Sequence, residues 1–383
     1  MADTVIRLVP PAGDDSDHAS LRAEVRSFLA SVADRLPAPG SPTAVDAWLT
    51  GWDEDFTRAL AERGWIGMTV PVEYGGHGRS FEERFVVTEE LLAVGAPVAA
   101  HWIADRQIVP SLLKYGTDAQ CRGFLPGIVA GEVYFAIGMS EPESGSDLAS
   151  VRTRATRVDG GWRLNGTKVW TSGAHRAHAF IALARTAPVD PERRHDGLSQ
   201  FIVDLRAPGV RVSPIVSMNG AHHFNEVFLD DVLVPDDMVF GEIGRGWTQV
   251  TSELSFERSG PERFLSTFGV LAANVESGAD AASTGALVAR TAALHQMSTA
   301  VAGALQRGEP ADVPAAVVKV LGTELEGDVA EAAALHGDPT GPFGGVPLPA
   351  AVTAALDQRP GFTLRGGTTE VLRGVIARGL GAR

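Results

Sequence analysis

The feature that most constrains this chain is a hydrophobic period that changes twice along its length. Near the start Leu21, Val25, Phe28, Leu29, Val32 and Leu36 recur at three- and four-residue steps, which puts them on one face of a helix. Similar spacing covers about 43–63, 81–96, 99–115 and 118–131, the last opening at Thr117 or Asp118, whose short oxygen-bearing side chains cap helix starts. From about Val133 the period falls to two and turn residues crowd in: 151–158, the turn Asp159-Gly160-Gly161, 162–164, then Asn165-Gly166 and 167–171. Asn-Gly between alternating runs is a strong hairpin signal, so a hairpin turn is expected there. Short β segments continue over 179–184, 200–205, 210–216 and 225–234, and Pro235 closes them. Helical spacing resumes near Gly246 and runs to the C-terminus, with breaks at 278–283, 309–314 and 338–349.

Segregated helical and β periods argue for an α+β fold, not an alternating βαβ one. The expected architecture is an N-terminal α-helical domain over 1–132, a middle antiparallel β domain over 133–240 and a C-terminal helical bundle over 241–383. No G-x-G-x-x-G follows a strand, so a Rossmann-type dinucleotide site has no support. The 383 residues exceed one typical core, and 44% hydrophobic with 21% charged residues is ordinary globular composition. A formal net charge of −14 argues against nucleic acid and anionic lipid as partners, because both select for clustered Lys and Arg. The single cysteine, Cys121, has neither a disulfide partner nor metal-ligand spacing; a small buried apolar role and a reducing compartment are expected. His222 and His223 lack a third ligand at useful spacing, so no metal site is expected. No stretch approaches the roughly 20 apolar residues of a membrane span, and residues 1–11 lack the form of a signal peptide; a cytoplasmic location is expected.

Two segments carry the chemistry. Met139-Ser140-Glu141-Pro142-Glu143-Ser144-Gly145-Ser146-Asp147 reads as a polar loop at a sheet edge, which an ordinary turn would also explain. Thirty residues on, Lys168-Val169-Trp170-Thr171-Ser172-Gly173 sets a large aromatic beside two hydroxyls. Trp170 is either core or a flat face for a flat ring system, with Ser140 and Ser172 bonding the ring's polar edge. At this spacing the two segments resemble the flavin-contacting loops of the acyl-CoA dehydrogenase family. The stretch from Asn225 to Pro235 is similar to that family's last β segment, and Gly366-Gly367-Thr368-Thr369-Glu370-Val371-Leu372-Arg373 to its C-terminal motif. The resemblance covers nearly the whole chain. It implies an FAD-dependent enzyme that desaturates an acyl-CoA thioester between its α and β carbons and hands electrons to an electron-transfer flavoprotein.

Carried over residue by residue, the resemblance implies that the Met139 backbone and Ser140 hydroxyl meet the isoalloxazine ring, while Trp170 and Ser172 pack against and bond it. Ser146 would lie near the phosphopantetheine arm. Thr368 and Glu370 match contacts to the cofactor's phosphate and adenosine end, although a carboxylate at 370 replaces the commoner amide; it also suits a solvated acid at a helix start. Many members place the catalytic Glu immediately before this Gly-Thr, where the present chain has Gly366. Isovaleryl-CoA dehydrogenase and many bacterial relatives take it instead from a Glu-Arg pair on an earlier helix, matched here by Glu257-Arg258. The resemblance therefore implies Glu257 as base and a backbone N–H near Gly366 as donor to the thioester oxygen. Arg258 would either contact substrate or pair with a nearby acid.

Two family stretches that bind FAD across a subunit interface, Arg-x-x-Phe-Gly and Gln-x-x-Gly-Gly-x-Gly, have no clear counterpart; 341–345 is a poor match for the second. Either a homodimer uses substitute residues, or the chain is one half of a heteromer whose partner supplies the missing arginine. A non-catalytic subunit and a flavin oxidase or monooxygenase are the alternatives on this fold. The residues leave open the acyl group and whether coenzyme A or an acyl carrier protein bears it.

Overall fold

The computed structural model describes residues 18–38, 40–258, 260–278, 280–336 and 349–382, the side chains of 254–257 and 336 excepted. Residues 1–11 and the glycine stretch at 341–345 lie outside the described residues. Helices come first: α1 (Ala19–Ser31), α2 (Ala47–Thr50), α3 (Glu54–Glu62), α4 (Phe81–Ala93), α5 (Ala99–Ile103), α6 (Val109–Tyr115) and α7 (Asp118–Val129). Strands follow: β1 (Phe135–Gly138), β2 (Arg154–Val158), β3 (Gly161–Lys168), β4 (Ala179–Arg185), β5 (Leu198–Asp204), β6 (Val210–Val216), β7 (His222–Pro235) and β8 (Val239–Phe240). The chain ends in α8 (Gly246–Arg258), α9 (Phe268–Ser277), α10 (Ala281–Gln306), α11 (Asp312–His336), α12 (Ala350–Leu364) and α13 (Thr369–Gly379). This is the α, β, α order that the changing period predicts.

Local signals account for the boundaries. Val25, Phe28 and Leu29 form the buried face of α1. Thr117 and Gln120 make a reciprocal capping box that starts α7. The single helix expected over 43–63 is instead two. Gly51 ends α2 where an added Cβ would come within 2.9 Å of the Pro97 Cα. Asp53 then starts α3 by accepting the Phe56 N–H at 2.8 Å.

The chain forms two compact units: Trp52–Gly78 with Ala99–Leu254, here the sheet unit, and Met1–Gly51 with Arg79–Val98 and Ser255–Arg383, here the helical unit. In the sheet unit the strand order is β6-β7-β3-β2-β4-β5-β8, with β1 alongside β4. Most neighbours are antiparallel as expected, but β4 runs parallel to β1, from Phe135↔Ala179 to Gly138↔Ala182, and to β2 at Arg154↔Arg185. The hairpin turn joining β2 to β3 is Asp159-Gly160, with Val158 paired to Gly161. Asn165-Gly166 is not a turn: it lies inside β3, at a register shift against β7. Gly166 is there because a Cβ would meet the Thr153 Oγ1 at 2.3 Å, and the Asn165 Oδ1 accepts the Asp231 N–H of β7 at 2.9 Å. Phe180, Leu164, Phe201 and Val227 are fully buried in the main core of this unit. Each such side chain contributes about 1.5–3 kcal/mol by leaving water.

In the helical unit, Glu90 of α4 accepts hydrogen bonds from Arg22 and Arg26 of α1, each at 2.7 Å at closest. Helices α11 and α13 share a core of Ala316, Val320 and Leu372. Gly322 lets α11 approach the 261–263 turn, since a Cβ there would meet the Arg263 carbonyl oxygen at 2.3 Å. No described helix is long and apolar enough to cross a membrane. Among the described residues no cluster of three metal-ligating side chains occurs. Cys121 is buried, as expected, with its thiol pushed up by burial.

Candidate functional site

The sheet unit brings the two polar segments together, and a buried ion pair does it. Lys168, the last residue of β3, is fully buried, and its Nζ donates to the Met139 carbonyl at 3.0 Å and to the Glu141 Oε1 at 2.8 Å. Glu141 also accepts the backbone N–H of Arg152 at 2.6 Å and of Thr153 at 2.9 Å. One residue on, the Val169 N–H donates to the Ser140 carbonyl at 2.9 Å. Burial pulls the Lys168 ammonium down to about 8, with Glu141 opposing the fall. Burial pushes Glu141 up, but Lys168 and the two N–H donors outweigh it and hold the carboxyl below its ordinary value. Both members are therefore charged at neutral pH.

The second segment is tied to β7. The Thr171 N–H donates to the Asn225 carbonyl, and the Asn225 Nδ2 donates to the Thr171 carbonyl, both at 3.0 Å. Asn225 is itself fully buried, with Oδ1 2.9 Å from the His222 Nε2 and Nδ2 3.1 Å from the His175 Nδ1. The two imidazoles stack at 4.2 Å, and burial, then His222 and Arg176, lower the His175 pKa. His222 thus orients a buried amide, in keeping with the structural role expected of it.

Between these anchors Trp170 takes a left-handed φ of 59° and stays 56% exposed, its ring edge-on to Phe224 at 5.6 Å. A non-glycine residue in that region is sterically strained, and such strain concentrates at functional sites. Ser172, two residues on, and Ser140, whose carbonyl accepts the Val169 N–H, are half-buried, Met139 packs against Val151, Leu183, Leu198 and Val250, and Ser146 is exposed. A large flat ring left uncovered beside hydroxyl donors suits the face and polar edge of an isoalloxazine. Gly138, just before the loop, admits both neighbours: a Cβ would meet the Phe180 ring at 2.6 Å and the Lys168 Cγ at 3.2 Å. Gly138→Ala is expected to lower stability by about 1–3 kcal/mol through overpacking, read as a fall in Tm. An unchanged Tm would show that the ring and the lysine stem yield freely.

The helical unit holds the remaining predicted residues. Glu257 lies in α8, and its side chain is outside the described residues. Next to it Arg258, 7% exposed, donates from Nε to the Gly366 carbonyl at 3.1 Å. Gly366 and Gly367 have φ of 68° and 88°, and a Cβ on Gly367 would meet the Arg258 Nη2 at 3.1 Å, so the turn requires glycine. Thr368 caps α13 by accepting the Val371 N–H at 3.3 Å, and the buried Thr369 Oγ1 has no hydrogen-bond partner among the described residues. Glu370 is exposed in the first turn of α13, its pKa lowered by its own backbone N–H and the Thr368 hydroxyl.

Immediately before the di-glycine turn, Arg365 forks onto the fully buried Asp46, with one of its two contacts at 2.7 Å, and lies 4.9 Å over the Trp48 ring. Glu326, also buried, accepts the Ser266 N–H at 2.9 Å, while burial, partly offset by Arg365, pushes its carboxyl up to about 7. Sequence reasoning missed these supports. Lys168, Glu141 and Asn225 stood inside the motif segments, but nothing local marks them as partners, and Asp46 and Arg365 are 319 residues apart.

Helices, then a mostly antiparallel sheet, then helices in chain order, with a strained exposed Trp in one loop and a di-glycine turn before a helix, suit a flavoprotein oxidoreductase. Descriptions of known families agree: the N-terminal domain of acyl-CoA dehydrogenases matches residues 15–132 and the middle domain residues 136–232. The structure is similar to that of the Tcur3481-Tcur3483 steroid ACAD, at TM-score 0.81 and 30% identity over 99% of this chain and 100% of that one. It is also similar to a chain of the ChsE4-ChsE5 complex from Mycobacterium tuberculosis, at TM-score 0.77 and 30% identity over 97% and 99%. In sequence, 244 residues are 41% identical to acyl-CoA dehydrogenase FadE34 of Mycobacterium tuberculosis, covering 63% of this chain and 33% of that protein. Acyl-CoA dehydrogenase FadE29 of the same organism is 36% identical over 63% of this chain and 61% of its own length. The matched region thus spans less than two thirds of either curated relative. The chain belongs to the acyl-CoA dehydrogenase family of FAD-dependent enzymes.

Proposed function

We propose that this chain carries out α,β-dehydrogenation of an acyl-CoA thioester to the trans-2-enoyl product and passes the electrons to an electron-transfer flavoprotein. The observation that carries the reading is the pairing of Glu257-Arg258 on α8 with a glycine turn at 366–367. The position where many members hold their base has a left-handed glycine, and Arg258 of the alternative Glu-Arg pair is bonded to that same turn. FAD, when bound, supplies the two-electron acceptor for the hydride leaving Cβ. The resemblance assigns Trp170, Ser140, Ser172 and the Met139 backbone to the isoalloxazine and Thr368 and Glu370 to the phosphate and adenosine end, where the ionised Glu370 carboxylate suits a hydroxyl and not a phosphate.

Within this reading Glu257 takes the α proton. The thioester oxygen gains charge as that proton leaves, and a fixed N–H directed at it lowers the barrier. Arg258 contributes by holding the Gly366 carbonyl, because a planar trans peptide then turns the Gly367 N–H the opposite way. Ser146 lies in the loop that would meet the pantetheine arm.

A second reading concerns assembly and substrate. Neither family stretch for FAD across a subunit interface is clear here, and two relatives at 30% identity are a steroid ACAD and a member of a complex. Both facts favour one component of a heteromer acting on a steroid-derived acyl thioester. The test is an absorbance spectrum of the purified chain, alone and co-expressed with candidate partners, followed by anaerobic addition of straight-chain, branched and steroid-ring acyl-CoAs. Flavin bands bleached by a saturated acyl-CoA are the expected result. A flavoprotein that no acyl-CoA bleaches, or one that consumes oxygen and yields peroxide, overturns the dehydrogenase reading. A fully FAD-loaded homo-oligomer from the chain alone counts against the heteromer.

A further inference from the structure

We infer that Lys168, paired with Glu141, is a positioning residue that turns the Met139–Ser140 peptide so that the Ser140 N–H faces the cofactor and is strengthened as a donor. The inference rests on the FAD reading above and adds a residue to it. Its geometry lies wholly within the sheet unit.

The carbonyls of Met139 and Ser140 are both taken by the end of β3, the first by the Lys168 ammonium at 3.0 Å and the second by the Val169 N–H at 2.9 Å. A planar trans peptide sets its N–H opposite its C=O, so capture of the Met139 carbonyl sends the Ser140 N–H away from Lys168. That N–H has no partner within the described protein, whereas the next one, of Glu141, donates to the Ser144 carbonyl at 2.8 Å. The ammonium does more than orient. A full positive charge on the carbonyl polarises the amide, and in a water-free setting such chained hydrogen bonds strengthen one another. Lys168 is fully buried and Glu141 nearly so, which removes the screening that would blunt the effect.

Glu141 is the counter-charge that makes a buried ammonium tolerable, and it has its own anchors on Arg152 and Thr153. The loop is therefore fastened to β3 and to the stretch entering β2. A buried ion pair spent on one exposed loop is more than packing requires, since an apolar pair of equal volume fills such a space at least as stably. The polarised peptide is the feature an apolar pair would lack.

The experiment compares wild type with the charge-free variant Lys168→Met/Glu141→Gln, which leaves no unpaired buried charge, and with Lys168→Arg, which keeps the charge. Thermal unfolding of the flavin-free proteins checks the fold. FAD titration, the visible spectrum of the bound flavin and its reduction potential report on the donor. The charge-free variant is expected to unfold near the wild-type temperature yet bind FAD about 10- to 100-fold more weakly, the loss of one hydrogen bond strengthened by charge. Its flavin should show shifted bands and a more negative potential, and Lys168→Arg should restore part of each. Equal FAD affinity, spectrum and potential in the charge-free variant overturn the inference while leaving the FAD reading intact. Wild type that takes up no FAD, alone or with a partner chain, overturns both. If the charge-free variant unfolds far below wild type and Lys168→Arg keeps wild-type stability but restores none of the FAD affinity or the potential, the pair is structural only.

Discussion

Glu257→Gln is expected to bind FAD and unfold as wild type does, yet lose about 10²- to 10⁴-fold in kcat, the range for removing a general base. Glutamine keeps the shape and the hydrogen-bonding reach of glutamate but its amide does not accept a proton at working pH. KM should change little, because the lost interaction belongs to the transition state. The expectation is sharpened by the turn at 366. Its φ of 68° suits glycine, and a carboxylate-bearing side chain there would carry roughly 1–2 kcal/mol of backbone strain. The carbonyl of the same residue is bonded to Arg258, the neighbour of Glu257. A chain organised in this way has no ready place for a base at 366, which favours the Glu257 proposed above. Stopped-flow reduction of the flavin by acyl-CoA measures the step directly. A Gln variant that reduces its flavin at the wild-type rate would sink the assignment and send the search to other carboxylates.

How much of this was legible beforehand depends on the range of the interaction. Helix α1 was readable because Val25, Phe28 and Leu29 carry their period within one face, and α7 because Thr117 offers a short oxygen-bearing cap at its start. Asn165-Gly166 misled because the dipeptide marks close backbone approach as well as turns. What selected the bulge was Thr153, on a neighbouring segment that no local pattern identifies. The motif loops stood out as sequence, with Ser140, Trp170 and Ser172 in them. The residues that fix those loops did not. A lysine at the end of a strand is ordinarily solvated, and only the fold shows Lys168 to be fully buried against a glutamate 27 residues away. Hydrophobic period reports which face is inside, and it is silent about which charges cross that inside to meet.

The same blindness hid the largest stability term we expect, the pair between Asp46 and Arg365. Asp46→Asn should destabilise the helical unit by roughly 3–5 kcal/mol, the cost of leaving a mostly buried guanidinium, its side chain 15% exposed, without its carboxylate. Glu326 decides how much of that is recovered. Burial pushes its carboxyl from 4.5 up to about 7, so the folded state holds a proton that the unfolded chain releases. A raised carboxyl gives stability that is complete below pH 4.5 and is lost as pH rises through about 7, here about 3 kcal/mol at about 1.4 per pH unit. Glu326→Gln should therefore abolish that slope and leave the protein more stable than wild type above neutrality. In Asp46→Asn the negative charge opposing Glu326 ionisation is gone, so the slope should move to lower pH, and the ionised Glu326 would partner Arg365 in part. The double variant has no carboxylate left for the guanidinium, and its loss should exceed the sum of the single changes. Thermal unfolding of the four proteins at pH 5 and pH 8 tests this. Strict additivity at both pH values would mean that the two carboxylates do not share Arg365, and the di-glycine turn that follows it would then be held from one side only.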